Sequence, residues 1–93
     1  MGNYRIIVKE TAEKDFAKHK KSGNKKILIK ISKIFDELRI HPYTGTGKPE
    51  PLKHEFQGLW SRRINQKDRL IYEVHENVVT VYVLSAMGHY DDK

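Results

Sequence analysis

No cysteine occurs in this chain of 93 residues, so a disulfide framework, a zinc–thiolate site and thiolate catalysis are all excluded. Long apolar runs are missing too. None approaches the ~18 residues a membrane-spanning helix requires, and no charged-then-apolar leader opens the sequence. The expectation is a soluble, untargeted protein in a reducing compartment. Acidic residues are in deficit, twelve against eighteen Lys and Arg, and the resulting net charge of +6 is unevenly placed. Residues 1–40 carry eleven basic and five acidic side chains, whereas residues 41–93 carry seven of each. Proline is scarce, and two of the three prolines flank a single glutamate as Pro49-Glu50-Pro51. No internal repeat, linker or low-complexity tract is present, and the length suits one domain, 1–93, burying about two thirds of its unfolded surface.

The pattern that remains reads as α+β. Tyr4, Ile6 and Val8 alternate with Arg5 and Lys9, the period of a half-buried strand. Thr11 offers an N-cap for a short helix striped by Ala12, Phe16 and Ala17, which Ser22-Gly23-Asn24 breaks. In a second helix Ile27, Ile31, Ile34 and Leu38 recur on one face, with Leu28 and Phe35 beside them, and this helix is expected to supply most of the core. His41-Pro42 ends it. The loop from there through Gly58 is too rich in glycine and proline for regular structure. Three strands follow, Leu59 to Ile64, Arg69 to Val74 and Val78 to Leu84, joined by turns short enough to make them antiparallel neighbours. The expected fold is an N-terminal strand, then two helices packed on one face of an antiparallel sheet.

Side chains alternate across a strand, so Leu70, Tyr72 and Val74 share one face while Arg69, Ile71 and Glu73 share the other. If the first set lies under the helices, Arg69 points to the open face. Only one of Arg62 and Arg63 can join it there, and the residues alone leave that choice to register. Lys14, Lys18, Lys20, Lys21, Lys25, Lys26, Lys30 and Lys33 spread positive charge over the two helices, a surface suited to a polyanion and equally to plain solvation. His19, His41, His54 and His75 have no metal-ligand spacing, and neither a metal nor another cofactor is expected.

Four motifs in order carry a resemblance. The run Gly45-Thr-Gly-Lys-Pro-Glu-Pro-Leu-Lys53, the strand Trp60-Ser61-Arg62-Arg63-Ile64, the strand Arg69-Leu70-Ile71-Tyr72 and the terminal His89-Tyr90 together resemble the YoeB/Txe toxins within the RelE superfamily. The resemblance implies a RelE-like microbial ribonuclease fold. It further implies a type II toxin–antitoxin toxin that cuts messenger RNA on the ribosome, without a metal, and so inhibits translation. Carried over position by position, it makes Glu50 the general base, His89 the general acid, Arg69 and Arg63 the holders of the scissile phosphate, and Tyr90 an orienting or stacking group. Lys48 and Lys53, beside Glu50, would contact phosphate, and Lys25, Lys26, Lys30 and Lys33 would dock on the ribosome.

The chemistry suits those residue types. Cleavage through the 2′-hydroxyl needs a base, an acid and a cation at the developing charge, and histidine's ordinary pKa of ~6.5 lets it serve as an acid near neutrality. Each residue also has a plainer reading. Glu50 could be a surface carboxylate, Trp60 core, and the three arginines partners of Glu55, Glu73 or Asp68. The family also implies a cognate antitoxin of the YefM/Axe kind in a 2:1 or 2:2 complex, operator DNA bound through that complex, the 70S ribosome and mRNA as partners, a homodimer and a bacterial cytoplasmic location. Two departures stand out: Met87 replaces a basic residue common two positions before the terminal histidine, and Asp91-Asp92-Lys93 extends past the tyrosine where many members end. A non-catalytic RNA- or antitoxin-binding module of the same fold is the alternative, and a nuclease active on free RNA a third.

Overall fold

The computed structural model describes residues 3–88. The chain runs β1 (Arg5–Val8), α1 (Glu10–Ser22), α2 (Lys25–Leu38), β2 (Glu50–Pro51), a 3-10 turn (His54–Phe56), β3 (Leu59–Arg63), β4 (Arg69–His75), a second 3-10 turn (Glu76–Val78) and β5 (Thr80–Ser85). The five strands form one sheet in the order β1-β5-β4-β3-β2. Strands β3 to β5 pair antiparallel, as expected, β2 adds a short antiparallel edge that was not, and β1 lies parallel to β5, which makes the sheet mixed. That pairing joins strands some seventy residues apart in the chain, and periodicity within either strand carries no trace of it.

Both helices cover one face. Ala12 from α1 and Ile31, Ile34 and Leu38 from α2 pack with Leu70 and Tyr72 of β4 and Val81 and Val83 of β5. Phe16 and Phe35 close the seam between the helices edge to face, with ring centroids 5.2 Å apart. Fully buried side chains such as Ile34 and Leu38 each contribute on the order of 1.5 to 3 kcal/mol, so α2 is a main source of stability.

Helix boundaries follow local hydrogen bonding. α1 begins at Glu10 rather than after Thr11, because the Lys9 amide is held by the Val83 carbonyl at the end of the β1–β5 ladder (2.9 Å) and the chain turns at once. Gly23 ends α1 in the left-handed conformation, φ 74°, and the Asn24 side chain caps α2 by accepting from the Ile27 amide at 3.2 Å. α2 stops at Leu38, before His41-Pro42. The segment from there to Gly58 is more ordered than its composition suggests. It contains β2, whose two residues pair with Ser61 and Trp60, and the His54–Phe56 turn.

Candidate active site

Register decides which side chains share the face of the sheet turned away from the helices, where Glu50 and Arg63 are exposed but Ser61 and Ile71 are buried. Directly opposed residues in an antiparallel ladder project to the same side, and Glu50 faces Ser61, Ser61 faces Ile71, and Arg63 faces Arg69. Leu70 and Tyr72 belong to the helix-covered core, so Glu50, Ser61, Arg63, Ile71 and Arg69 lie on the opposite side. With strands ~4.8 Å apart and ~3.4 Å per residue, the Glu50 Cα stands about 8 Å from that of Arg63 and about 12 Å from that of Arg69. Those spans are within the combined reach of a carboxylate and a guanidinium closing on one phosphate. His89 and Tyr90 lie outside the described residues.

The two cations are held differently. Arg69 is half-buried, and its Nη1 donates to the carbonyls of Asn65 (2.9 Å), Gln66 (3.4 Å) and Asp68 (3.2 Å), which spends one nitrogen on the β3–β4 turn and braces the others. Arg63 is exposed, and its side chain makes no ion pair among the described residues. Its backbone is fixed, the amide donating to the Gly47 carbonyl at 2.7 Å. Glu50 is exposed on the edge strand. Together with Pro51, Leu52, Lys53 and His54 it lines a cleft of about 290 Å³. Lys48 is exposed two residues before Glu50, with a left-handed backbone, φ 51°.

The remaining candidate cations are elsewhere. Lys25, Lys26 and Lys33 are exposed and Lys30 half-buried on α2, whose Ile31, Ile34 and Leu38 stripe packs on the other face of the sheet. The helical lysines and the Glu50 face are therefore separate surfaces.

Arg62 lies fully buried on the core side. Its five N–H groups are all used: Nε donates to the Tyr72 hydroxyl (3.2 Å), Nη1 to Glu37 Oε1 (2.7 Å) and the Thr46 carbonyl (3.3 Å), and Nη2 to the carbonyls of His41 and Thr44 (both 2.8 Å). The plainer expectation for the arginines, pairing with Glu55, Glu73 or Asp68, fails for this one, since its partner is Glu37 of α2, and Glu73 pairs instead with His75. The Tyr72 hydroxyl donates in turn to the Pro42 carbonyl at 2.6 Å. One side chain thus satisfies the polar backbone of a loop that has no ladder of its own. Glu37 completes the lock by accepting from the Thr46 amide and hydroxyl, both at 2.7 Å. This network holds residues 41–47, the approach to Glu50, against α2. Spacing could not reveal it, because Glu37 on an amphipathic helix looks like a solvated carboxylate.

Two predictions arise here. Burial works to raise the Glu37 pKa, but the hydrogen bonds from Thr46 and the Arg62 charge outweigh it and hold the carboxyl below its ordinary value. A depressed folded-state pKa contributes stability that is complete above the unfolded value of ~4.3 and is lost as pH falls through the folded one. Denaturant unfolding between about pH 5 and pH 3 should therefore show a falling stability, and a Glu37→Gln variant should be weaker at neutrality with a flatter acid limb.

The second concerns Gly47, whose φ is +85° and where a Cβ would stand 2.8 Å from the Arg63 carbonyl oxygen and 3.1 Å from Arg62 Cβ. Gly47→Ala should cost about 2 kcal/mol in the same measurement, from the left-handed backbone and the displaced loop together.

The model of the "YoeB-like toxin of bacterial type II toxin-antitoxin system" family matches residues 8–90. The chain belongs to that family. The Toxin YoeB of Escherichia coli O6:H1 is 42% identical to this YoeB-like toxin over 67 residues, which is 72% of this chain and 77% of the relative. Among solved structures, a YoeB/ParE toxin from Agrobacterium tumefaciens superimposes with a TM-score of 0.84 at 28% identity, covering 92% of this chain and 99% of that one. YoeB from Staphylococcus aureus is known as a dimer (TM-score 0.77, 32% identity, 96% of this chain and 100% of that one). It is also known in a heterotetrameric complex with the antitoxin YefM (TM-score 0.74, 33% identity, 96% and 100%). The YoeB-like fold of the chain is thus the one expected from its motifs.

Proposed function

We propose that this YoeB-like toxin is a ribosome-dependent endoribonuclease whose site is the Glu50–Arg63–Arg69 face. The observation that supports it most is the register that sets an acid and two arginines on the same face of the sheet, the one turned away from the helices. In the reaction, Glu50 takes the proton of the 2′-hydroxyl as that oxygen attacks phosphorus. The bond from phosphorus to the 5′-oxygen breaks as His89 delivers a proton to it. The products are a 2′,3′-cyclic phosphate and a 5′-hydroxyl. Arg63 and Arg69 stabilise the charge that grows on the non-bridging oxygens, Tyr90 orients or stacks on a base, and Lys48 and Lys53 hold neighbouring phosphates. The lysines of α2 dock on ribosomal RNA from the other side of the molecule, through contacts that weaken steeply with salt.

An antitoxin of the YefM kind, the partner of the staphylococcal toxin, would cover this face, with operator DNA bound through the complex in the bacterial cytoplasm. A homodimer follows the staphylococcal precedent. The competing reading, a binding module without chemistry, draws on Met87, which places a neutral side chain where a cation is common.

The test is to map message 3′ ends after incubation with programmed ribosomes and, separately, with naked RNA. New ends on the ribosome that vanish with Glu50→Ala and His89→Ala support cleavage. If growth arrest survives both substitutions but is lost on Lys-to-Glu changes along α2, the binding module is correct. Cutting of naked RNA at the same rate would remove the ribosome from the proposal.

A further inference from the structure

Two ionisable side chains on the core-facing side of α1 serve neither the core nor the site described above. Asp15 and His19, one helical turn apart, are 8% and 3% exposed. Burying such groups is costly unless they are hydrogen-bonded, and both are committed to a single residue. Asp15 Oδ2 accepts from the Ala86 amide at 2.9 Å, and His19 Nε2 donates to the Ala86 carbonyl at 2.8 Å.

Ala86, fully buried, is the first residue beyond β5. The β1–β5 ladder ends at Val8 and Val83, so past that point no strand among the described residues meets, on this side, the polar groups of the chain leaving the sheet. Two side chains of α1 do so instead. Two residues later the chain is held again, from the other side: the Gly88 amide donates to Asp68 Oδ1 at 3.1 Å, and the Gly88 carbonyl accepts from the Arg69 amide at 2.9 Å.

We propose that Asp15 and His19 are positioning residues. They anchor the root of the terminal segment, so that the chain enters His89-Tyr90 from a Gly88 bonded to the backbone of Arg69. The consequence for catalysis rests on the nuclease reading of the preceding subsection, while the anchoring itself does not. A purely structural role would lower global stability and slow every reaction alike. A positioning role acts on one proton transfer.

The experiment has two arms, using Asp15→Ala, His19→Leu and the conservative His19→Gln, which keeps a donor. The first follows amide hydrogen exchange in the full chain without RNA. Expected is loss of protection at Ala86, at Gly88 and at the Arg69 amide that Gly88 accepts from in Asp15→Ala and His19→Leu, with the β3 amides and the rest of β4 unchanged and His19→Gln close to the parent. Unchanged protection at Gly88, or uniform loss across the sheet, overturns the proposal.

The second arm measures single-turnover cleavage on programmed ribosomes of messages with a 5′-oxygen or a 5′-sulfur at the scissile link, since sulfur leaves without a proton. His19→Leu should slow the oxygen substrate by about 10²-fold and the sulfur substrate far less, as His89→Ala should. Equal slowing of both overturns the positioning role. If the parent protein cuts neither substrate, the nuclease reading has failed, and the exchange data alone decide the anchoring.

Discussion

Replacing Glu50 by alanine should lower single-turnover cleavage of a ribosome-bound message by about 10²- to 10⁴-fold, the usual contribution of a positioned acid or base. The fold should hardly notice. Glu50 is exposed on a two-residue edge strand, and among the described residues no ion pair or side-chain hydrogen bond depends on it. A midpoint of thermal unfolding near that of the parent, beside a large loss of rate, separates a chemical role from a structural one. Arg69→Ala is a less clean probe despite an expected loss of about 10²- to 10³-fold, because its Nη1 also binds three carbonyls of the β3–β4 turn.

Arg62→Ala should do the reverse, destabilising the protein by about 3 to 5 kcal/mol in denaturant unfolding, the range for removing one partner of a buried pair. The loss has several parts. Glu37 is left without its cation, the carbonyls of His41, Thr44 and Thr46 lose their donor, and a large side chain is deleted from a fully buried position. Because Glu37 and Arg62 share the network, their effects should not add: Glu37→Gln with Arg62→Met should cost clearly less than the sum of the single changes. Activity should fall in Arg62→Ala as well, through the slackened approach to Glu50. Additive single and double variants would mean that the pair is not coupled.

Much of this was legible in the sequence wherever a residue's neighbours along the chain decide its place. The alternation separated Leu70, Tyr72 and Val74 from Arg69 and Ile71 on β4, the structure puts the first set under the helices, and the Ile27 to Leu38 stripe told which side of α2 faces the sheet. The choice between Arg62 and Arg63 was not legible from the strand, since a slip of one residue exchanges them. Family resemblance favoured Arg63, and the Arg63–Arg69 register puts those two residues on one face.

Contacts between distant segments left no local signal. Nothing near Glu37 announces that it will meet Arg62, nothing in the spacing of Asp15 and His19 points to Ala86, and the parallel pairing of β1 with β5 has no periodicity of its own. The short strand at Glu50–Pro51 was hidden by Pro51 within it and Pro49 before it, which argue against regular structure and are tolerated there because the strand lies at the sheet edge.

The central claim is that one phosphodiester is cut by its own 2′-hydroxyl between Glu50 and the arginines of the open face. A message carrying a single 2′-deoxy nucleotide immediately 5′ to the cut link, presented on the ribosome beside the all-ribose message, tests it most directly. Loss of cutting at that link alone, with the all-ribose control ending in a 2′,3′-cyclic phosphate, is the predicted result. Cutting of the deoxy-substituted link at an undiminished rate would contradict it.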